Sequence, residues 1–171
     1  MISKEKLRRI ELHGFSDASE LAYGACMYLR SIDVQGNSTT RLLCSKLRVA
    51  HLKRLSLPRL ELCAAMLADM YQASSRALKI NFSKTRFWTD SMIVLAWLKS
   101  PAARWKTFVA NRVNHIQETT NVEDWSHISC KENPADLVSH GVDANVLKNL
   151  SLWWRGPDWL QQIEASWPLQ L

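Results

Sequence analysis

An α/β fold, a five-stranded mixed sheet flanked by helices, is what this sequence predicts. Three observations carry the prediction. Turn residues divide the first fifty residues into three apolar, β-prone runs. Apolar residues then recur at helical spacing over several long stretches. Two further short strand-like runs alternate with those stretches. The order along the chain is βββαβααβα, and 171 residues suit one domain with a sizeable core.

Residues 7–17 read as the first strand and 23–30 as the second. The turn-rich Asp33-Val34-Gln35-Gly36-Asn37 then returns the chain into a third strand at about 40–47, an antiparallel meander. Pro58 opens a long amphipathic helix whose apolar residues include Leu60, Ala64, Leu67, Tyr71 and Leu78, with Glu61 in its first turn. Residues 85–90 are a short strand that runs into a buried helix from Ser91 to Leu98, capped by Asp90 or Ser91. Trp105, Phe108, Val109, Val113 and Ile116 share a face of the next helix, with Arg112 at its border. Residues 122–130 form the fifth strand, and Asn133 caps a last helix with Pro134 at its first position. The main domain is expected over 1–145. Residues 146–171, which hold Trp153, Trp154, Trp159 and Trp167, read as a tail that packs on it as a strap. Tryptophans also stack on bases, so a nucleic-acid platform is the other reading of the tail.

The composition is 47% hydrophobic and 22% charged, a globular rather than disordered balance. A formal charge of +6 favours a polyanionic partner. The four cysteines form no CxxC pair and read as reduced thiols. The polar N-terminus is unlike a signal peptide, and no apolar run is long enough to span a membrane. An intracellular, reducing compartment and no membrane partner are expected.

Four acids carry the chemistry: Asp17, Glu61, Asp90 and Asp136. Each lies where an apolar strand ends or a helix begins, and carboxylates beside a core are costly unless a cation neutralises them. Their placement suggests a pair of Mg²⁺ ions, since Mg²⁺ takes oxygen ligands and two-metal sites hydrolyse phosphodiesters. Taken singly, Asp90 and Asp136 are ordinary helix-start acids, Glu61 is favoured by the helix dipole and Asp17 is a turn acid. Convergence requires the first and fourth strands to be adjacent and parallel.

The stretches Gly14-Phe15-Ser16-Asp17-Ala18-Ser19, Ser45-Lys46-Leu47-Arg48-Val49-Ala50, Leu57-Pro58-Arg59-Leu60-Glu61-Leu62, Phe87-Trp88-Thr89-Asp90-Ser91, Phe108-Val109-Ala110-Asn111-Arg112-Val113, Asn133-Pro134-Ala135-Asp136-Leu137 and Leu152-Trp153-Trp154-Arg155-Gly156-Pro157 resemble, in content and order, the ribonuclease H domain of BEL/Pao-type LTR retrotransposon polyproteins. The resemblance implies a ribonuclease H-like fold and cleavage of the RNA strand of RNA–DNA hybrids with two Mg²⁺ or Mn²⁺ ions held by Asp17, Glu61, Asp90 and Asp136. It also implies reverse transcriptase and integrase modules as partners within a parent polyprotein. The location it implies is cytoplasmic, in a retroelement particle, or nuclear. The chain departs from the family's pattern at His140, where arginine is usual, and at His51, where proline is common. His140 lies one helical turn past Asp136, in reach of the scissile phosphate or the leaving oxygen. A surface histidine in place of a surface arginine is the other reading.

The run Lys46, Arg48, Lys53, Arg54 and Arg59 has no acid within it and leads directly to Glu61. It reads as a phosphate contact or as a solvated loop. Lys99, Arg104 and Lys106, with Ser91 at the start of the preceding helix, are a second candidate contact, for the DNA strand. Such contacts would position a hybrid without reading its sequence. A catalytically silent, retroelement-derived fragment or a structural module with the same fold remains open. An integrase-type transferase would not need Glu61, and no Asp-Thr/Ser-Gly motif supports an aspartic protease.

Overall fold

The computed structural model of the protein describes residues 7–49 and 57–168; the side chains of Leu7, residues 57–62 and Phe108 lie outside that description. Five strands, β1 (Leu7–Ala18), β2 (Ala22–Asp33), β3 (Ser38–Val49), β4 (Lys84–Thr89) and β5 (Trp125–His127), form one mixed sheet in the order β3-β2-β1-β4-β5. The first three make antiparallel hairpins because their connections are too short for anything else. In the first connection the Ser19 hydroxyl accepts from the amides of Leu21 and Ala22 at 3.1 and 3.2 Å. In the second, Asp33 Oδ1 accepts from the amides of Gln35 and Asn37, both at 2.9 Å, and Gly36 takes φ +89°, which favours glycine. The chain then crosses over through a long helix, α1 (Leu57–Leu78), so β4 pairs parallel with β1, and β5 pairs parallel with β4.

The sheet is covered on both faces. On one lie α1, α2 (Met92–Leu98) and α3 (Thr107–Thr119), around Leu12, Met27, Leu67, Phe87, Leu98 and Ile116. On the other lie α4 (Asp136–His140) and the tail, with α5 (Ala144–Lys148) and α6 (Ser151–Arg155), around Phe15, Tyr28, Trp88, Ile128, Trp159 and Trp167. The Trp88 ring meets Trp159 at 4.8 Å and Trp167 at 6.2 Å between centroids, and the Tyr28 hydroxyl donates to the Trp153 carbonyl at 2.7 Å. Among the described residues no helix is long and apolar enough to cross a membrane.

Three local expectations need correction. The fifth strand is three residues long rather than nine. A 3-10 turn at Val122–Asp124, held by the Asn121 side chain, precedes it, and another at Cys130–Glu132 follows. Helix α1 begins at Leu57, so Glu61 is its fifth residue and falls just past the first turn. Asn133 does not cap α4, whose N-cap position is Ala135. Its buried side chain accepts from the Ala135 amide at 3.1 Å and donates to the Ser16 carbonyl at 3.0 Å, tying the approach to α4 onto the end of β1.

Trp159 joins the tail to the sheet and is 8% exposed. Trp159→Ala is expected to lower unfolding free energy by about 3–5 kcal/mol in urea denaturation, the usual cost of removing a large buried aromatic. A loss below about 1 kcal/mol would mean that the tail adds little to the core.

Candidate active site

Asp17 and Asp90 each follow directly on a paired position, because Ser16 of β1 faces Thr89 of β4 in the parallel ladder. Parallel strands end on the same side, so the two acids stand next to each other at one edge of the sheet. Ser91 Oγ caps α2 by accepting from the Val94 amide at 3.2 Å, which turns the chain away just beyond Asp90. Asp136 arrives from the other face, brought beside Asp17 by the Asn133 tie. Ser139, on the same short helix as Asp136, donates from its hydroxyl to Asp17 Oδ2, and its carbonyl accepts from Ser19 Oγ at 2.6 Å. Asp17 is 3% exposed.

The carboxyls act on one another. Burial, the negative charge of Asp17, a hydrogen bond shared with the Asp17 carboxyl and the charge of Asp136 push the Asp90 carboxyl up to about 7. Among the described residues no lysine or arginine pairs with Asp17, Asp90 or Asp136. His140 does approach: its Nδ1 is 2.8 Å from Asp136 Oδ1 and 3.7 Å from Asp17 Oδ2. One ligand atom from each of Asp17, Asp136 and His140 fits within 4.8 Å. These three groups could hold a metal ion, offering oxygen atoms and one imidazole nitrogen.

The Glu61 side chain lies outside the described residues. Cys63, two positions on, is buried beside Ser16, and both Asp17 and Asp90 act on its thiol after burial itself in holding it protonated. The beginning of α1 therefore reaches the same strand ends. Lys46 and Arg48 lie near the end of β3, where Leu47 pairs with Gly24 and Gly24 with Asp17. That is two strand spacings from Asp17, about 10 Å. With Tyr23, Met66, Asp69 and Arg112 they line a pocket of about 170 Å³ on the α1 face. Lys53 and Arg54 lie outside the described residues, as does the Arg59 side chain. Lys99, Arg104 and Lys106 are exposed in the connection after α2, about 10 Å of helix beyond Asp90. Ser139 is a site residue that sequence reading missed. Its spacing of three from Asp136 was the available signal, since it puts both on neighbouring faces of one helix.

Residues 1–91, just over half of the chain, match the Pao retrotransposon-like RNaseH-like domain. No curated protein matches. Among solved structures the chain is similar to RNase H1 from the halophilic archaeon Halobacterium salinarum NRC-1, at 14% identity over 76% of this chain and 93% of that one, with a TM-score of 0.44. It is also similar to LC11-RNase H1, solved in complex with RNA/DNA hybrid, at 14% identity over 81% and 99% of the two chains, with a TM-score of 0.46. A third is the N-terminal RNase H domain of a Mycobacterium tuberculosis protein, at 11% identity over 77% and 90%, with a TM-score of 0.44.

The raised Asp90 carboxyl has a consequence for stability. Unfolded, Asp90 loses its proton near 3.8; folded and metal-free, it keeps it to about 7. Between those values the unfolded state binds fewer protons, so stability falls as pH rises and levels off above about 7. Asp90→Asn should remove this slope and make the metal-free protein more stable than wild type at pH 8, as read from thermal melts in EDTA across pH 4–8.5. Parallel wild-type and variant profiles would show that Asp90 is not desolvated against Asp17.

Proposed function

Because the chain belongs to the Pao retrotransposon-like RNaseH-like domain family, we propose that it is a Mg²⁺- or Mn²⁺-dependent endoribonuclease that cleaves the RNA strand of RNA–DNA hybrids. Its place would be in reverse transcription, alongside the reverse transcriptase and integrase modules of a parent polyprotein. The observation that carries the reading is the meeting of Asp17, Asp90 and Asp136 at the ends of β1, β4 and the start of α4, without a lysine or arginine to neutralise them among the described residues.

In this reading Asp17, Asp90 and Asp136, with Glu61 from α1, hold the metals, and residues 1–145 are the nuclease unit with 146–171 as its tail. A bound pair of divalent ions supplies a nucleophilic water at neutral pH and stabilises charge at the reacting phosphate. The chain's own groups prepare the site. Ser139 donates to Asp17 Oδ2 and so orients that carboxyl beside Asp136. Asn133 keeps Asp136 beside it. His140, bonded to Asp136, serves as an auxiliary group at the phosphate side of the cluster.

Lys46 and Arg48, with Lys53, Arg54 and Arg59 following in the chain, hold the hybrid's backbone on the α1 side. Lys99, Arg104 and Lys106, with Ser91, make a second contact. Discrimination of the RNA strand rests on its 2′-hydroxyls.

Asp17→Asn and Asp90→Asn keep the side-chain shape and lose the charge. Each should lower cleavage of a labelled RNA–DNA hybrid in Mg²⁺ by more than about 100-fold, the scale of removing one preorganised charge-stabilising group. Cleavage at the wild-type rate by either variant would sink the assignment. Reversing charge at Lys46 and Arg48 together should instead weaken hybrid binding and lower the slope of log affinity against log salt by roughly 1.4–1.8, with little effect at saturating hybrid. An unchanged slope would return these two residues to a solvated strand end.

A further inference from the structure

A second concave surface lies far from the carboxylates. Between β3 and the helices α5 and α6 is a groove of about 510 Å³, lined by Arg41, Leu42, Lys148, Asn149, Trp154 and Arg155. Its volume is that of an ordinary small-ligand site, roughly 300–1,000 Å³. Three of its residues are cations and none is an acid. Arg41, Lys148 and Arg155 are exposed, and among the described residues none of them makes an ion pair or a side-chain hydrogen bond.

Trp154 differs from its neighbours in the tail. Trp153, Trp159 and Trp167 are buried against the sheet, whereas Trp154 is 49% exposed. It is nevertheless fixed: its Nε1 donates to the carbonyls of Leu147 and Lys148, each at 3.1 Å. An indole pinned by its polar edge, with much of its surface open to solvent beside three unpaired cations, is preorganised for an anion that carries a flat apolar group. Nucleotides have that chemistry. In a duplex the bases are stacked on each other and cannot reach the ring, so the occupant is single-stranded.

We infer that the groove walled by Arg41, Lys148 and Arg155 and faced by Trp154 binds single-stranded nucleic acid, with a base stacked on the indole and its flanking phosphates on the cations. The sheet sets its distance from the carboxylates. Leu47 stands level with Asp17 through Gly24, and Arg41 lies six positions back along β3, about 20 Å. The groove is thus a separate site, and its binding requires neither metal nor cleavage.

The test is affinity for fluorescent 12-nucleotide oligo-dT and oligo-rU in EDTA, measured by anisotropy over a salt series. Trp154→Leu should weaken binding by roughly 5- to 150-fold, the usual range for loss of one stacked base. Lys148→Glu with Arg155→Glu should lower the salt slope by about 1.4, for two phosphates released from a single strand. Both variants should still melt cooperatively, with at most a modest fall in midpoint, since Trp154 gives up its hydrogen bonds to the Leu147 and Lys148 carbonyls and the other two charges lie in the last turns of α5 and α6. Hybrid cleavage on a short blunt duplex should be unchanged, which keeps this result independent of the nuclease reading. If both variants bind as wild type does, or if only reversal at Lys46 and Arg48 weakens binding, the groove is not a nucleic-acid site.

Discussion

The parallel ladder that runs from Glu11 opposite Lys84 to Ser16 opposite Thr89 is the constraint on which the rest of the structure depends. It brings the ends of two strands separated by some seventy residues of chain to the same edge, and so brings Asp17 to Asp90. A slip of one residue would exchange the faces of every side chain on β4. Phe87 would leave the α1 layer, Trp88 would leave the layer that receives the tail, and the two carboxyls would no longer meet. Gly14 takes part in fixing this arrangement. A Cβ there would stand 2.6 Å from Leu67 Cδ1 and 3.2 Å from Phe87 Cδ1, so its absence lets α1 settle close over the centre of the sheet.

β1 carries two buried acids that the protein treats in opposite ways. Burial acts to raise the Glu11 carboxyl, but hydrogen bonds from His13 and Arg30, with the charge of Arg30, hold it below the usual carboxylate range. His13 is kept neutral by burial. Its Nδ1 faces the Trp88 indole N–H at 3.4 Å, so Nε2 carries the proton donated to Glu11. Arg30 also donates to the Gln162 carbonyl at 2.8 Å and lies 5.2 Å from the centre of the Trp167 ring. The tail is thereby fastened to a charge inside the core. Removing one member of such a pair typically costs about 3–5 kcal/mol, because the other is left buried and unpaired.

At Asp17, six residues further along the same strand, no guanidinium arrives among the described residues. The groups beside it among the described residues include a serine hydroxyl, an imidazole and two more carboxyls, one of which holds its proton to about 7. Such a cluster costs stability, and the metal-free protein relieves it by keeping the Asp90 proton. The contrast on a single strand, between an acid paired with a guanidinium and one that has no such partner among the described residues, is what supports the proposal of a cation at the sheet edge. The tail shows the same division. Three of its tryptophans serve the core, while the fourth is held rigid at the surface among unpaired cations.

Local pattern determined much of this protein. Alternation and turn residues marked β1 to β3, helical spacing marked α1 to α3, and the carboxylates could be found because strand ends and helix starts are visible in the sequence. The length of β5 was misjudged because apolar residues in 3-10 turns look like strand residues over so short a span. Asn133 was misjudged because an Asx side chain preceding a proline looks like a cap whether or not it bonds a distant carbonyl. Tertiary structure decided the rest: the strand order, the hydrogen bond from Ser139 to Asp17 across 122 positions, the approach of His140, and the groove that joins Arg41 to Arg155. Each of these rests on contacts between residues far apart in the chain. Periodicity records which face a side chain takes on its own element, but not which other element will stand opposite.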